Sequence, residues 1–446
     1  MIALTRPPIR HSPVHSPLLI PFALILASLL SGCQTLAFFS EPQSEKVTWT
    51  VKPNEVVETH QFSLSADLNI VGGLATLSSR ENDTLSDIAR HYGLGYNDIT
   101  LANPGLDPWS LQNDSTVLLP LQFIIPDAPR QGIVLNLANM RMFYFPNARS
   151  VLTYPVGIGR QGWNTPLGQT QIVAKKANPA WTVPESIQRE HQALGDPLPK
   201  VIRSGPDNPL GYYAMPLGFK GYLIHGTNKP YGIGMQVSHG CVQLYPEDVE
   251  NLFKQVDIGT PVRIVHQPFL AAWAGDTLYL EAHQPLDKWE KQRKQLEKDL
   301  RGKLKQLAAE RQATLDWPKV EAILKRADGV PTPVLVNSPN LAELSAAAPQ
   351  IEHPERLFGQ PEIGELDADA WSTIIADVFQ SETEAQKLAA MLNHQGPPIP
   401  ARKIASNGNY RVLAGPFKTK SEARAAAKRI KQNFDIDAMP QAPSAN

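Results

Sequence analysis

Gly221-Tyr222-Leu223-Ile224-His225-Gly226-Thr227 and, sixteen positions on from its histidine to a cysteine, Ser238-His239-Gly240-Cys241-Val242-Gln243 decide how this chain is read. The first stretch is a short apolar strand that ends on His225. The second leads into a helix: Pro246 suits the first turn, Glu247 and Asp248 suit its positive end, and Val249, Leu252, Phe253 and Val256 form one apolar stripe. Cys241 therefore stands just before a helix, in a glycine-containing loop. A free thiol has a pKa of about 8.5, and an imidazole partner makes its thiolate accessible at neutral pH. Two imidazoles are near in sequence. His225 is far enough away for a loop to return it against the thiol, and His239, two positions before Cys241, shares its face if the stretch is extended. Gly226 and Gly240 let backbone approach a bound molecule closely. Zinc ligation by His225, His239 and Cys241 is an alternative, although neither an HExxH pattern nor paired cysteines support it. A buried inert thiol is another.

Outward from this stretch, residues 131–266 read as mainly β. Ile133–Leu137 and Met140–Phe145 form a hairpin through Ala138-Asn139, and further strands are expected at Leu152–Val156, Gln169–Ala174, Gly221–His225 and Pro261–Val265. A β-rich sandwich or barrel with few helices is predicted. Trp163 and Trp181 are core candidates first, with a groove-lining role as the alternative.

The region 130–266 resembles the L,D-transpeptidase catalytic domain of the YkuD type. The likeness rests on His225-Gly226-Thr227, then Gly232 and Gly234, then Ser238-His239-Gly240-Cys241-Val242. The resemblance implies a cysteine-dependent acyltransferase acting on peptidoglycan stem tetrapeptides. Cys241 is then the nucleophile and His225 the base, while His239 and Gly240 shape the site and supply backbone N–H groups to an oxyanion hole. Gly226, Thr227 and Ser238 are expected to contact substrate, with no metal and no organic cofactor. The family usually has Arg after the Cys-Val pair; Gln243 stands there and supplies no cationic fork. The acceptor is left open between a second stem peptide, a wall-attached lipoprotein and water, so a carboxypeptidase or amidase on the same acyl-enzyme is the alternative. A catalytically weak wall-binding lipoprotein is a further one.

Before this region, residues 75–121 hold two short helical patterns between two strand candidates. Thr84 and Asp87 have capping-box spacing, and Leu85, Ile88, Ala89 and Tyr92 follow helical periodicity. Through Asn82-Asp83-Thr84-Leu85, Tyr92-Gly93, Asn103-Pro104 and the closing Leu119-Pro120, the segment is similar to a LysM module, which implies a small α/β fold that binds N-acetylglucosamine-containing glycan. Asn82 and the Asp114-Ser115 pair stand where the family usually has glycine. After the β-rich region, 267–328 reads as a helical arm with Leu296, Leu300, Leu304 and Leu307 on one stripe, and 329–368 as a proline-rich linker. Residues 369–440 contain a duplication, a strand candidate before a capped helix at Ser381/Glu384 and again at Thr419/Glu422, which predicts a ferredoxin-like α+β sheet. With Tyr410-Arg411-Val412 and Gly415-Pro416-Phe417 it resembles a SPOR domain, which implies binding to peptidoglycan glycan strands.

At the amino terminus, Arg6 and Arg10 precede an apolar run from Leu18 to Leu30, too short for the roughly 20 residues of a transmembrane helix. The run ends in Leu30-Ser31-Gly32-Cys33, which resembles a lipoprotein signal peptide (1–32) with Cys33 as the acylated residue and 33–74 as a tether. Gln34 in place of Asp implies the outer membrane of a Gram-negative bacterium, with the protein lipid-anchored in the periplasm. The composition agrees with several modules: 446 residues suggest about three domains, and 40 prolines exceed average usage. The 42 basic residues balance 43 acidic ones, which argues against a nucleic-acid partner. Two cysteines exclude a disulfide framework.

Overall fold

A computed structural model describes residues 61–65, 68–80, 82–195, 197–360, 364, 370–394 and 398–443. The stretch expected as a signal peptide, 1–32, and Cys33 lie outside them. The central domain is a β-rich mixed α/β core. Six strands form one sheet in the order Gln61–Ser63, Ser150–Pro155, Arg141–Asn147, Gly132–Asn136, Pro261–Val265 and Gly168–Gln171. A second sheet has the order Val242–Gln243, Leu223–His225, Tyr213–Pro216 and Lys176–Ala177. Ile133, Leu135, Met142 and Tyr154 from the first meet Met215, Ile224 and Val242 from the second in one apolar core. Helix Pro246–Gln255 closes that core with Val249 and Leu252, both fully buried. At about 25 cal/mol per Å² of apolar surface removed from water, such contacts dominate the stability of the domain.

Three expectations change here. No described sheet closes into a barrel: the larger sheet ends on two unjoined edge strands, and one isolated bridge, Ile172 to Leu217, connects the two sheets. The tether expected to run to residue 74 contributes Gln61–Ser63 as an edge strand, antiparallel to Ser150–Leu152, and Ile70 already begins the next module. The helical arm is a β/α layer. Phe269–Ala274 and Thr277–Ala282 form a hairpin on which helices Arg293–Glu310 and Trp317–Arg326 pack through Leu300, Leu304, Val320 and Ile323. Without that sheet the leucine stripe would have nothing to bury against.

The amino-terminal module pairs Ile70–Ser78 with Thr116–Ile124 and places helices Leu85–His91 and Tyr96–Ala102 against them. Thr84 caps the first helix by accepting from the Asp87 N–H at 3.0 Å. Asn82 and Asp114 adopt φ of 69° and 60°. Both are left-handed positions where glycine is easiest and Asn or Asp the next best residue, which accounts for the two departures from the family pattern. The carboxy-terminal domain has strand order Ala401–Ser406, Asn409–Phe417, Trp371–Ile375 and Ala438–Gln441, with helices Glu382–His394 and Lys420–Phe434. Thr419 and Glu422 form the expected capping box.

The modules are in contact. Arg90 reaches Glu247 of the central domain with two hydrogen bonds of 2.8 Å. Gly95 lies so close to Gly234 that a β-carbon would come within 2.7 Å of its Cα. His394 of the last domain meets Asp87 at 2.5 Å with both side chains almost fully buried. The region expected as a linker is a strap. It forms helix Leu341–Ala347, adds Gln350–Ile351 parallel to Thr76 and Leu77, and buries Leu357 in the amino-terminal core. Among the described residues, no helix is long and apolar enough to cross a membrane.

Candidate active site

Leu223–His225 and Val242–Gln243 run parallel, with Ile224 opposite Val242 and His225 opposite Gln243. Residues two apart on a strand share a face, so this register puts His225 and Cys241 on the same side of neighbouring chain segments. The folded chain thus sets the histidine and the residues that follow the cysteine on adjacent parallel segments.

The loop carrying Cys241 is held by its own polar groups. Ser238 Oγ donates to the Cys241 carbonyl at 2.5 Å and accepts from the Gly240 N–H at 3.1 Å. Thr165 Oγ1 donates to the Gly240 carbonyl at 2.8 Å and accepts from the Gly159 N–H at 3.1 Å. The Arg160 N–H donates to the Ser238 carbonyl at 2.9 Å. Gly240 has φ of +102°, and a β-carbon there would meet the Tyr222 ring at 2.9 Å. Only glycine fits both constraints without strain.

His225 is 3% exposed, and its Nδ1 lies 2.6 Å from the Gly226 carbonyl. A carbonyl only accepts, so Nδ1 carries the proton and Nε2 keeps its lone pair. Burial pushes the imidazole down to about 4, against the opposite pull of the Gly226 and Leu210 backbone. Burial likewise pushes the Cys241 thiol up to about 11, partly offset by a backbone hydrogen bond at Leu223. Its Sγ lies 3.8 Å from the Gly221 carbonyl. At neutral pH the resting pair is therefore thiol and neutral imidazole.

His239 is placed differently. Its Nε2 lies 2.8 Å from Glu190 and 3.1 Å from Arg160, and its ring meets Trp163 edge-on at 4.8 Å. Burial lowers its pKa, with Glu190 opposing and Arg160 assisting. This nitrogen is engaged by the Arg160–Glu190 pair.

Four of the expected site residues have intramolecular partners in this structure. The Gly240 N–H donates to Ser238 Oγ. Ser238 is 4% exposed and spends its hydroxyl on the loop. Thr227 is similarly buried and accepts from the Lys229 N–H at 2.9 Å, closing a turn. Gly226 orients His225 through its carbonyl, and a β-carbon on it would press on Val249 at 3.0 Å. Arg160, Thr165 and Glu190 were not singled out from the sequence; they lie in irregular segments or on the short helix Glu185–Ala193, where no periodic pattern marks them. Trp163, read first as core, stands half-buried beside His239. Among the described residues, no group of three His, Cys, Asp or Glu is arranged to hold a metal ion.

Family models match three segments: a LysM domain at residues 80–120, an L,D-transpeptidase catalytic domain at 130–264 and a SPOR domain at 373–440. The probable L,D-transpeptidase YcfS of Escherichia coli is 44% identical over 214 residues, covering 46% of this chain and 67% of that protein. The probable L,D-transpeptidase ErfK/SrfK of Salmonella typhimurium is 36% identical over 281 residues, covering 61% of this chain and 90% of that protein. Among solved structures, the catalytic domain of the E. faecium L,D-transpeptidase is 24% identical with a TM-score of 0.24, covering 31% of this chain and 99% of that one.

Proposed function

The chain belongs to the L,D-transpeptidase family, whose activity is peptidoglycan cross-linking, and we propose that Cys241 performs that reaction through a thioester with His225 as its proton carrier. The observation that supports this reading is the parallel register of His225 with Gln243, two residues after Cys241, beside a clipped loop.

With thiol and imidazole both neutral at rest, the proton moves during attack. Sγ adds to the carbonyl of the third residue of a stem tetrapeptide while Nε2 of His225 takes the thiol proton. The tetrahedral oxygen needs donors placed where its charge develops. The C–N bond to the terminal D-Ala breaks, its amine takes the proton from His225, and a thioester remains. An amine from the diaminopimelate of a second stem then attacks the thioester, His225 removes its proton, and Sγ leaves with that proton as the thiol. The Gly226 carbonyl keeps the imidazole in one tautomer through both halves. Water in place of the amine gives a trimmed tripeptide, and a wall-attached lipoprotein is a further acceptor.

Stem-peptide binding belongs to the central domain. The glycan is bound by the flanking LysM and SPOR domains, and Cys33 anchors the protein by lipid to the periplasmic side of the outer membrane.

Incubating the protein with tetrapeptide muropeptides tests the central claim. D-Ala should be released, and Cys241→Ala should abolish release by at least a thousandfold, as expected when a nucleophile is removed. Unchanged release in the variant, or none from the wild type with any acceptor, overturns the reading. Mass spectrometry of the products separates a cross-link, a tripeptide and a protein conjugate.

A further inference from the structure

Beside the clipped loop lies a pair of opposite charges that the mechanism above does not use. Arg160 follows the strand Ile158–Gly159, and Glu190 projects from helix Glu185–Ala193. One Glu190 carboxylate oxygen accepts from Arg160 Nη2, and the other lies 2.8 Å from His239 Nε2. Arg160 holds Glu190 below the usual carboxylate range, so it is ionised at neutral pH. The two side chains are 38% and 27% exposed, paired with each other and still open to solvent.

The pair is tied to the reacting region through the backbone. The Arg160 N–H binds the Ser238 carbonyl, and a β-carbon on Gly159 would lie 2.9 Å from Gly240 Cα. Trp163 packs edge-on against His239 next to them. A part-exposed ion pair adds little to stability, about 0–1 kcal/mol, so fold stability alone does not account for it. Gln243, opposite His225, is neutral, so Arg160 is the guanidinium bound to this loop.

A lone carboxylate would suit Arg160 and be repelled by Glu190. A group bearing carboxylate and ammonium on the same carbon satisfies both. We infer that Arg160 and Glu190 dock the zwitterionic end of the diaminopimelate side chain in the donor stem. Arg160 donates to its carboxylate and Glu190 accepts from its ammonium, which holds the same residue's other carbonyl at Cys241. The ammonium of the donor stem is not the nucleophile, so keeping it protonated does not impede the reaction. This inference rests on the transpeptidase reading and adds a specificity determinant to it.

The test compares kcat/KM for release of the terminal residue by the full chain, with one unmodified tripeptide as common acceptor, on four donor tetrapeptides: unmodified, amidated at the diaminopimelate side-chain carboxylate, acetylated at its amine, and amidated at the terminal D-Ala. The wild type should lose roughly tenfold or more on either diaminopimelate modification, the scale of one charge-assisted hydrogen bond. Arg160→Gln should erase discrimination against the amidated side chain, Arg160→Lys should retain part of it, and Glu190→Gln should erase discrimination against the acetylated amine. Equal losses on every substrate would mark the pair as structural and overturn the inference, as would wild-type indifference to both modifications. Arg160-dependent discrimination that follows only the D-Ala carboxylate would overturn it too. Failure of the wild type on all four substrates would instead sink the transpeptidase reading, and this inference with it.

Discussion

The loop Ser238–Cys241 and the strap 349–360 are both largely irregular backbone, and they are held by opposite means. The loop is clipped by short-range polar bonds, Ser238 to Cys241 and Gly240, with Thr165 and Arg160 completing the set. The strap is plugged by an apolar side chain, Leu357 at 1% exposure, and steadied by polar contacts to residues about 270 positions away. Arg80 donates to the carbonyls of His353 and Pro354, His353 meets Asp83 at 2.9 Å, and the Phe358 N–H donates to His91 Nδ1 at 2.7 Å. A loop that must present a thiol is fixed group by group. A connection that only has to lie against a module is fixed by one anchor and a few bonds at its rim.

That contrast breaks first at the anchor. Leu357→Ala should cost about 2–5 kcal/mol of the amino-terminal module's stability, the usual range for emptying a buried leucine site. Thermal unfolding and hydrogen exchange over 80–120 check it. Unchanged protection there would return the strap to the status of a linker.

Acid should loosen both regions, because each holds an imidazole that burial pushes down to about 4: His225 beside the loop and His91 under the strap. The folded values lie below the ordinary 6.5, so the unfolded chain takes up protons first. Stability is complete above about 6.5 and is lost as pH falls through about 4, with His225 alone contributing about 3 kcal/mol. Protonated His91 Nδ1 can no longer accept from Phe358, so the strap should open before the loop. Exchange measured between pH 7 and pH 4 sharpens the comparison, and simultaneous opening would erase it.

The smallest effect is expected from Ser238→Ala. Removing one hydroxyl leaves a buried carbonyl and a buried N–H without that partner, a loss of about 1–3 kcal/mol. The loop should lose its fixed shape, so kcat for D-Ala release should fall while KM changes little. A normal kcat would show that the clip is dispensable.

The same contrast explains what could be read in advance. Thr84, Thr419 and the stripe of helix Pro246–Gln255 follow from local rules, because caps and helical faces involve residues three or four apart. The hairpin Phe269–Ala282 had a local signal as well, Gly275-Asp276 between two apolar runs, with Gly275 at φ of +54°; the charged helices after it drew the whole segment toward an arm. The strap had none, since its prolines mark neither the short pairing of Gln350–Ile351 with Thr76 and Leu77 nor what Leu357 touches.

For the site, the residues His225, His239 and Cys241 and their spacing were legible in the sequence, because the chemistry of a cysteine acyltransferase demands those residue types near a glycine-containing loop. So was the strand that delivers His225. Only the tertiary structure shows the partners of the two imidazoles: the Gly226 carbonyl holds Nδ1 of His225, while Glu190 and Arg160 meet Nε2 of His239. It also shows that Ser238 bonds the Cys241 carbonyl and the Gly240 N–H. A hydrogen bond depends on distances of a few tenths of an ångström between groups brought together by packing, and spacing along the chain does not encode those distances.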